Sequence, residues 1–468
     1  MARACCGMGL FKVHWPPIQK EKIIRIEDRI VSARSFLLPK LHRVAEFLVS
    51  QGIATAGNLL FGFLCIRLLP VEDYAKFVVV FSIQASLTIL LDIGISGTFV
   101  PLVGERIDDL PLIADYLASL RQIAYWLFAV AAPIVVFAFP QLVRNRHWSA
   151  PTIAAMVALV LISAWFARVA AAYGAVLILR RDRARWYQAQ MGTSFGALAL
   201  LGVCVLFHCF GVFVAIAIGV AKTVVTAGIY FARAQKLLGV RGAPSSEKRA
   251  AIVHLALPAV PSVMYYALGG QISVFLITYF GRTSAVASVG ALSRLGQIFA
   301  LVQPINGILI EPYFARLPKE KLKSHYPMVV FAASACSAAL VVLARIFPGL
   351  FLWVLGPKYA GLRDEVVLTM LSGALGFVAG AMASINGARL FTYYTSVLAD
   401  IVLTLILQAI YIWKVDLSTV QAVLWFNIFT MFPTTGIAIV TAFYGFTHGG
   451  RRIPESGCSP AAAEGRNG

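Results

Sequence analysis

Long apolar runs follow one another along the chain, separated by short polar or Pro/Gly-containing turns. Most runs reach or exceed about 20 residues, the length that an α-helix needs to cross the hydrocarbon core of a bilayer. The pattern therefore predicts an all-α, polytopic membrane protein. Its twelve predicted spans are residues 44–69, 75–100, 119–143, 152–179, 188–208, 212–232, 251–280, 286–312, 326–352, 366–388, 391–413 and 420–446.

The longest connector on the predicted cytoplasmic side divides these helices into two groups of six. We expect an N-terminal lobe at 44–232, a cytoplasmic linker at 233–250 and a C-terminal lobe at 251–446. A basic tail at 1–43 and a flexible tail at 447–468 complete the predicted organisation, with both tails in the cytoplasm.

The composition supports a membrane protein. Hydrophobic residues make up 59% of the chain and charged residues 13%, whereas soluble globular proteins carry roughly 45–50% and about 25%. The seven cysteines show no spacing typical of a disulfide framework or a metal site. Little of the chain remains for a soluble catalytic domain.

The net charge of +19 could indicate a nucleic-acid-binding protein, so the position of the basic residues matters. With a cytoplasmic amino terminus, 28 of the 40 Lys and Arg residues lie in cytoplasmic segments, 8 lie outside and the rest lie within spans. This asymmetry follows the positive-inside rule and suits contact with anionic lipids at the cytoplasmic face, and it argues against a nucleic-acid partner. A reporter fused after residue 240 should be cytoplasmic, and one near Lys358 should be external.

Several short motifs occur in a distinctive order over residues 44–446. They are Asn58-Leu59-Leu60-Phe61, Arg67-Leu68-Leu69-Pro70-Val71-Glu72-Asp73-Tyr74, Leu91-Asp92-Ile93-Gly94-Ile95, Leu257-Pro258 through Tyr279-Phe280-Gly281, Glu311-Pro312-Tyr313, Phe347-Pro348 through Leu355-Gly356-Pro357-Lys358-Tyr359-Ala360, and Ile385-Asn386-Gly387. Together they resemble the Wzx-type polysaccharide flippases of the multidrug/oligosaccharidyl-lipid/polysaccharide (MOP) exporter superfamily. Gln271 is a departure, because relatives often carry an acidic residue at this position.

This resemblance implies a MATE/MOP-like fold of two six-helix lobes around a central cavity. It also implies a function: translocation of an undecaprenyl-pyrophosphate-linked oligosaccharide across the bacterial inner membrane by alternating access, for O-antigen or exopolysaccharide biosynthesis. Polysaccharide assembly proteins are further candidate partners. No catalytic residue, metal or cofactor is predicted, and the sequence does not identify an ion whose gradient would drive transport.

Basic residues within the apolar spans are the candidate cargo-binding groups. An Arg or Lys near the bilayer centre costs about 2.5–3.5 kcal/mol, so such residues usually face a cavity or a partner. Lys222, Arg294 and Arg168 are therefore predicted cavity cations for a pyrophosphate, with a structural pair as the alternative for each. Arg345 is interpreted as a residue that snorkels to the outer surface.

Acidic and amide side chains complete the candidate site. Asp400 is predicted to neutralise one of the buried cations, with proton coupling as the alternative. Asp92 is a further candidate for coupling or charge pairing, and bracing of helix ends is the favoured interpretation of this residue. Six amide side chains are candidates for cavity lining or for interhelical hydrogen bonds: Asn58, Gln84, Gln271, Gln297, Asn306 and Asn386.

Three other classes were compared with the flippase. A multidrug exporter of the same fold should have acidic groups in its cavity, whereas the buried groups here are mostly basic. A membrane glycosyltransferase or polymerase usually needs a larger external loop, and no phosphate-binding GxxxxGK[ST] loop is present. A major-facilitator carrier lacks support because the 101–118 connector does not carry the basic repeat of that superfamily.

Overall fold

A computed structural model describes residues 52–448, apart from short gaps at 104–105, 107, 145–147, 181, 241, 258–259, 304, 390 and 392–393. Every regular element in these residues is helical. The helices are α1 (Gly52–Leu68), α2 (Val71–Asp92), α3 (Ile95–Val103), α4 (Leu110–Val143), α5 (Ala150–Leu179), α6 (Arg183–Leu206), α7 (Val212–Leu238), α8 (Ser246–Ala256), α9 (Val260–Gly269), α10 (Ile272–Phe280), α11 (Thr283–Gly296), α12 (Phe299–Val302), α13 (Glu311–Arg316), α14 (Lys319–Ile346), α15 (Pro348–Leu355), α16 (Arg363–Ala388), α17 (Tyr394–Lys414) and α18 (Val420–His448).

The helices confirm the predicted all-α, multi-pass architecture. Ten of the described helices are long and apolar enough to cross a membrane, and the bent pair α8–α9 makes an eleventh if it forms one span. Helix α1 is apolar but shorter, and the predicted residues 44–51 of its span lie outside the described residues. The predicted tail at 1–43, and 447–468 beyond His448, also lie outside them.

The predicted second span, 75–100, is two helices instead of one. Helix α2 ends at Asp92, and Ile93 and Gly94 both adopt positive φ, 41° and 73°, before α3 begins at Ile95. The backbone amide of Ser96 donates to Asp92 Oδ1 across the break at 3.3 Å. Apolar content alone did not predict the break, because hydropathy does not report backbone dihedral angles.

Helix α4 begins nine residues before its predicted start at 119. Asp109 caps it by accepting a hydrogen bond from the Leu112 amide at 3.0 Å, and Pro111 lies in its first turn. An acidic cap followed by an early proline is a helix start signal. The segment between α7 and α8 is shorter than the linker predicted at 233–250. Helix α7 continues to Leu238 and α8 begins at Ser246, which leaves 239–245 between the two helices.

Three predicted spans of the C-terminal part are also segmented. The seventh, 251–280, falls within α8, α9 and α10, and the eighth, 286–312, within α11, α12, a π-helical turn at Asn306–Ile310 and α13. The ninth, 326–352, is covered by α14 and α15. Prolines and glycines at or near these interruptions explain the breaks because they remove or weaken helical hydrogen bonds.

Helix α2 lies at the centre of the fold. It packs against α4, α5 and α7, which follow it closely in the chain, and also against α9, α10 and α11, which come later. We call α1–α7 the N-terminal half and α8–α18 the C-terminal half. The main hydrophobic core contains residues of both halves, among them Val78 and Leu87 of α2 and Val289 and Leu292 of α11. This junction positions the site described next.

Candidate functional site

A cavity of about 330 Å³ lies between α1, α2, α6, α7 and the end of α11. It therefore lies where the N-terminal half meets α11 of the C-terminal half. At one edge of the cavity, Gly57 of α1 allows close approach to α6, because the position of a Cβ atom on Gly57 would be only 3.3 Å from Ser194 Cβ. The lining residues are Gly57, Asn58, Phe61, Phe77, Val80, Phe81, Gln84, Ser194, Ala197, Ala215, Ile216, Gly219, Lys222, Thr223, Arg294 and Gln297.

Lys222 enters this cavity from α7. Its ammonium group donates a hydrogen bond to Asn58 Oδ1 of α1, so the cation joins two helices through a neutral amide. Gly219 lies one helical turn earlier and also lines the cavity. The side chain of Lys222 is half-buried.

Arg294 reaches the same cavity from the last turn of α11. Its guanidinium carbon lies 3.9 Å from the centre of the Phe81 ring and 6.0 Å from that of Phe77, and Nη1 donates to Gln297 Oε1 at 3.1 Å. Gly62 of α1 makes room for the side chain, because a Cβ atom there would lie 3.3 Å from Arg294 Cδ. The arginine is thus held by aromatic and amide groups.

Five predicted site residues meet at this cavity: Asn58, Gln84, Lys222, Arg294 and Gln297. Gln84 also donates to Ser163 Oγ of α5, which fixes its orientation. In the part of the chain that the structure describes, the cavity lining contains no Asp or Glu, and none of the ion pairs there includes Lys222 or Arg294. Amide and aromatic partners do not cancel a positive charge, so this arrangement favours an anionic ligand.

Arg168 does not join the cavity, which corrects the prediction of a third cavity cation. It is 2% exposed, its Nη1 lies 3.2 Å from Asp92 Oδ1, and it donates to Ser96 Oγ at 2.8 Å. Arg168 therefore joins α5 to the break between α2 and α3. Asp92 braces the ends of these helices, as the sequence analysis expected.

Asp400 lies against hydroxyl groups, and the prediction that it neutralises one of the buried cations is wrong for Lys222, Arg294 and Arg168. Thr434 of α18 donates to Asp400 Oδ1 at 2.9 Å, and Thr404, which lies on α17 with Asp400, donates to the same oxygen at 3.4 Å. The carboxylate is 7% exposed. This contact joins α17 to α18 within the C-terminal half.

The remaining amide candidates lie away from the cavity. Asn386 is buried and donates to the Ala438 carbonyl at 2.9 Å, an interhelical bond between α16 and α18. Asn306 is buried in the π-helical turn against Gly380. Gln271 is half-buried at the break before α10 and does not cap that helix with its side chain.

Four residues at this cavity were not predicted from the sequence: Phe77, Phe81, Ser194 and Gly62. Phe77 and Phe81 have a weak signal in their i, i+4 spacing, which places both rings on one face of α2. Gly62 had no such sequence signal, because its role depends on contact with the side chain of Arg294, which belongs to a helix far away in the chain. Among the described residues, no group of three His, Cys, Asp or Glu side chains is placed to hold a metal ion.

No protein-family model matches this chain, and no curated protein matches it. Solved structures do. One is the inward-facing conformation of a multidrug resistance MATE family transporter of the MOP superfamily, at 17% identity, covering 84% of this chain and 94% of that chain, with a TM-score of 0.61. The outward-facing conformation of a multidrug resistance MATE family transporter gives a TM-score of 0.51 at 17% identity, covering 86% of this chain and 92% of that chain.

A third similar structure is a MOP superfamily transporter from Pyrococcus furiosus, at 15% identity, covering 86% of this chain and 93% of that chain, with a TM-score of 0.54. Its description states that reverse polarity of its binding pocket suggests a different function. At these identities the likeness concerns the fold. The chain has a two-lobe fold similar to that of the MATE/MOP transporters.

Proposed function

We propose that this protein is a flippase that carries undecaprenyl-pyrophosphate-linked oligosaccharide repeat units across the bacterial inner membrane for surface polysaccharide biosynthesis. The observation that carries this proposal is the cavity between the two halves, where Lys222 and Arg294 point into one space and the described lining residues include no carboxylate. A pyrophosphate is the part of such a cargo that needs positive charge to enter an apolar protein interior. Alternating access of the cavity to the two faces would complete the transfer.

The other lining groups suit the rest of the headgroup. Gln84, Gln297 and Ser194 present hydrogen-bonding groups beside the two cations, and sugar hydroxyls need such partners when they leave water. The volume of about 330 Å³ lies at the lower end of the range for small-ligand sites, so we assign it to the pyrophosphate and an adjoining sugar, not to a whole oligosaccharide.

The Pyrococcus furiosus transporter gives a precedent within the fold. Its description connects a reversed pocket polarity with a function different from that of its relatives. We extend that reasoning to this chain: a basic cavity in a fold shared with multidrug transporters supports an anionic cargo.

A multidrug exporter is the second candidate, and two observations favour it. Structurally similar proteins include multidrug MATE transporters, and Phe61, Phe77 and Phe81 supply aromatic surface in the cavity. Cationic drugs would be repelled by Lys222 and Arg294, whereas uncharged aromatic drugs would not. Neither candidate uses covalent chemistry, and we propose no enzymatic activity.

Complementation distinguishes the two functions. The wild-type protein and a Lys222→Ala, Arg294→Ala variant are expressed in a strain that lacks its own repeat-unit flippases, and surface glycan and membrane abundance are measured. The flippase proposal expects glycan from the wild type, a strong loss from the double variant, and unchanged drug sensitivity in both. Arg345→Ala, which removes an exposed cation, is the matched control and should export normally.

Normal glycan export by the double variant would contradict the cavity as the cargo site. Drug resistance conferred by the wild type without glycan export would favour the exporter. The inner-membrane location and cytoplasmic termini belong to this proposal, and reporter fusions after residue 240 and near Lys358 test them.

A further inference from the structure

The turn after α1 and the turn after α15 contact each other, although they are nearly 300 residues apart. Arg67, near the end of α1, donates from Nε to the Val354 carbonyl at 3.2 Å and from Nη2 to the Trp353 carbonyl. Its guanidinium carbon also lies 4.7 Å from the centre of the Trp353 ring. A cation of the N-terminal half thus caps the C-terminal end of α15.

Lys358 makes the complementary contact. Its ammonium group donates to the Leu69 carbonyl at 2.7 Å and to the Arg67 carbonyl at 3.1 Å, which lie at the end of α1. The last carbonyls of a helix lack partners within the helix and carry partial negative charge, so a cation there is favourable. Each half of the molecule therefore supplies the cation that caps a helix of the other half. We call the four hydrogen bonds from Arg67 and Lys358 to these carbonyls the reciprocal cap.

The local backbone and the packing support this contact. Gly356 has φ of 96°, a conformation that disfavours a side chain, and the position of a Cβ atom there would be in van der Waals contact with Arg67 Cγ at 3.4 Å. Behind the cap, Tyr74 and Tyr359 are 0% and 3% exposed, with ring centres 6.5 Å apart. The contact is a packed junction between the halves.

Helix α1 connects this junction to the cavity. Asn58, which accepts from Lys222, and Gly62, which lies against Arg294, are on the same helix as Arg67. Nine residues separate Asn58 from Arg67, a rise of about 14 Å in an α-helix. Movement of α1 relative to α15 would therefore change the surroundings of both cavity cations.

We propose that the reciprocal cap is a latch that holds the halves together at the predicted external end and separates when the cavity opens to that side. The inference rests on the proposed transport function for the need to open. Its chemistry suits repeated opening, because Arg67 and Lys358 bind backbone carbonyls, and water can replace each bond when the halves separate. None of the ion pairs among the described residues includes either cation.

Cys65 provides a reporter that does not depend on cargo. It lies on α1 two residues before Arg67 and is 0% exposed. The full-length chain is prepared with Cys65 as its only cysteine, and intact cells are treated with a membrane-impermeant maleimide. The six cysteines to be replaced by serine are Cys5, Cys6, Cys204, Cys209, Cys336 and Cys458.

Removing the latch cations should expose Cys65 from outside. We expect labelling to rise about fivefold for Arg67→Ala or Lys358→Ala and further for the double variant, in keeping with the size of helix-end charge contacts. Lys358→Arg retains the cation and should label nearly as slowly as the parent. Arg345→Ala removes an exposed cation at the C-terminal end of α14 and should not change labelling.

Parental labelling rates in the double variant would overturn the latch, whether or not the protein exports glycan. A second measurement covers the case in which one of these variants fails to fold. Arg67→Cys and Lys358→Cys are combined in a chain without other cysteines, and a reducible cross-linker joins the two thiols. The proposal expects cross-linking in the membrane, arrested transport, and recovery after reduction. Full transport while cross-linked would also overturn it, whereas a chain that shows the labelling response but never exports glycan would contradict only the flippase function.

Discussion

Basic side chains enter the apolar helices of this protein in two different ways. Arg168 is fully buried against the carboxylate of Asp92 and the hydroxyl of Ser96, at a break between helices. Lys222 and Arg294 lie beside an open cavity, and their hydrogen-bond and ring contacts among the described residues are with amide and aromatic side chains. In sequence the three residues look alike, since each is a cation within an apolar run.

The difference lies in the partner, not in the cation. A carboxylate neutralises the charge, so the Arg168–Asp92 pair acts between helices and leaves little positive field for a ligand. An amide or an aromatic face orients a cation without cancelling it. A cation of the second kind remains able to attract an anion, and this makes the cavity the better candidate for cargo binding.

The largest effect on stability should come from Arg168→Ala. The change leaves Asp92 without its cation and empties a buried space, so we expect a loss of about 3 kcal/mol, the lower end of the range for broken buried pairs because Asp92 is partly exposed. Membrane abundance and the thermal unfolding midpoint in detergent measure it. Adding Asp92→Asn should recover part of the loss; a stable Arg168→Ala protein with no export would instead place Arg168 in cargo binding.

Lys222→Ala and Arg294→Ala should show the opposite profile. Each removes a charge-assisted contact to an anionic cargo, worth about 1.5 kcal/mol or more, so we expect roughly tenfold lower export for each. Stability should change little, because neither residue is in an ion pair among the described contacts. Surface glycan normalised to membrane abundance measures the export; a parallel fall in abundance would make these cations structural.

Conservative changes at Lys222 separate charge from hydrogen bonding. Lys222→Arg keeps the charge and a donor for Asn58, whereas Lys222→Gln keeps only hydrogen-bonding capacity. If the positive charge at this position binds the cargo, the arginine variant should export severalfold more glycan than the glutamine variant at equal abundance. Equal export by the two variants would show that Lys222 serves only to hold α1 and α7 together.

Gly62→Ala should have the smallest effect. Alanine raises helix propensity by about 1 kcal/mol, but its Cβ would lie 3.3 Å from Arg294 Cδ and displace the guanidinium slightly. We expect unchanged or higher stability with export reduced about twofold. Gly196→Ala on α6 is the matched control, because no described atom lies within 4 Å of a Cβ there; equal export by the two variants would argue against positioning of Arg294 by α1.

The extent of the helices could be predicted from sequence more readily than their interruptions. Long apolar runs predict spans because backbone polar groups must be satisfied within the bilayer, which only helices achieve locally. The breaks at Asp92–Ile95 and before α10 depend on individual backbone dihedral angles and on packing with neighbouring helices. The start of α4 had a clear local signal that was not used, the Asp109 cap with Pro111 after it.

The candidate site was predicted in part. The energetic penalty of burying charge singled out Lys222 and Arg294, and the structure places both at one cavity. The same penalty singled out Arg168, whose partner Asp92 lies 76 positions away. Asp92 was a candidate for charge pairing, but the sequence did not identify Arg168 as its partner. Asp400 was assigned one of the buried cations, and its contacts in the structure include the hydroxyls of Thr434 and Thr404. Hydropathy shows that a charge needs compensation but not which group supplies it.

The sequence by itself determined that the chain is a helical membrane protein, because the hydrocarbon core constrains every span of about 20 residues locally. Only the tertiary structure decided which cations are neutralised and which remain available, and which helix ends cap one another. Those outcomes depend on distances between residues far apart in the chain, as between Asn58 and Lys222 or between Arg67 and Val354. A hydrogen bond needs its donor and acceptor within about 3 Å, and the attraction between charges weakens with distance, so only the packed helices fix these contacts.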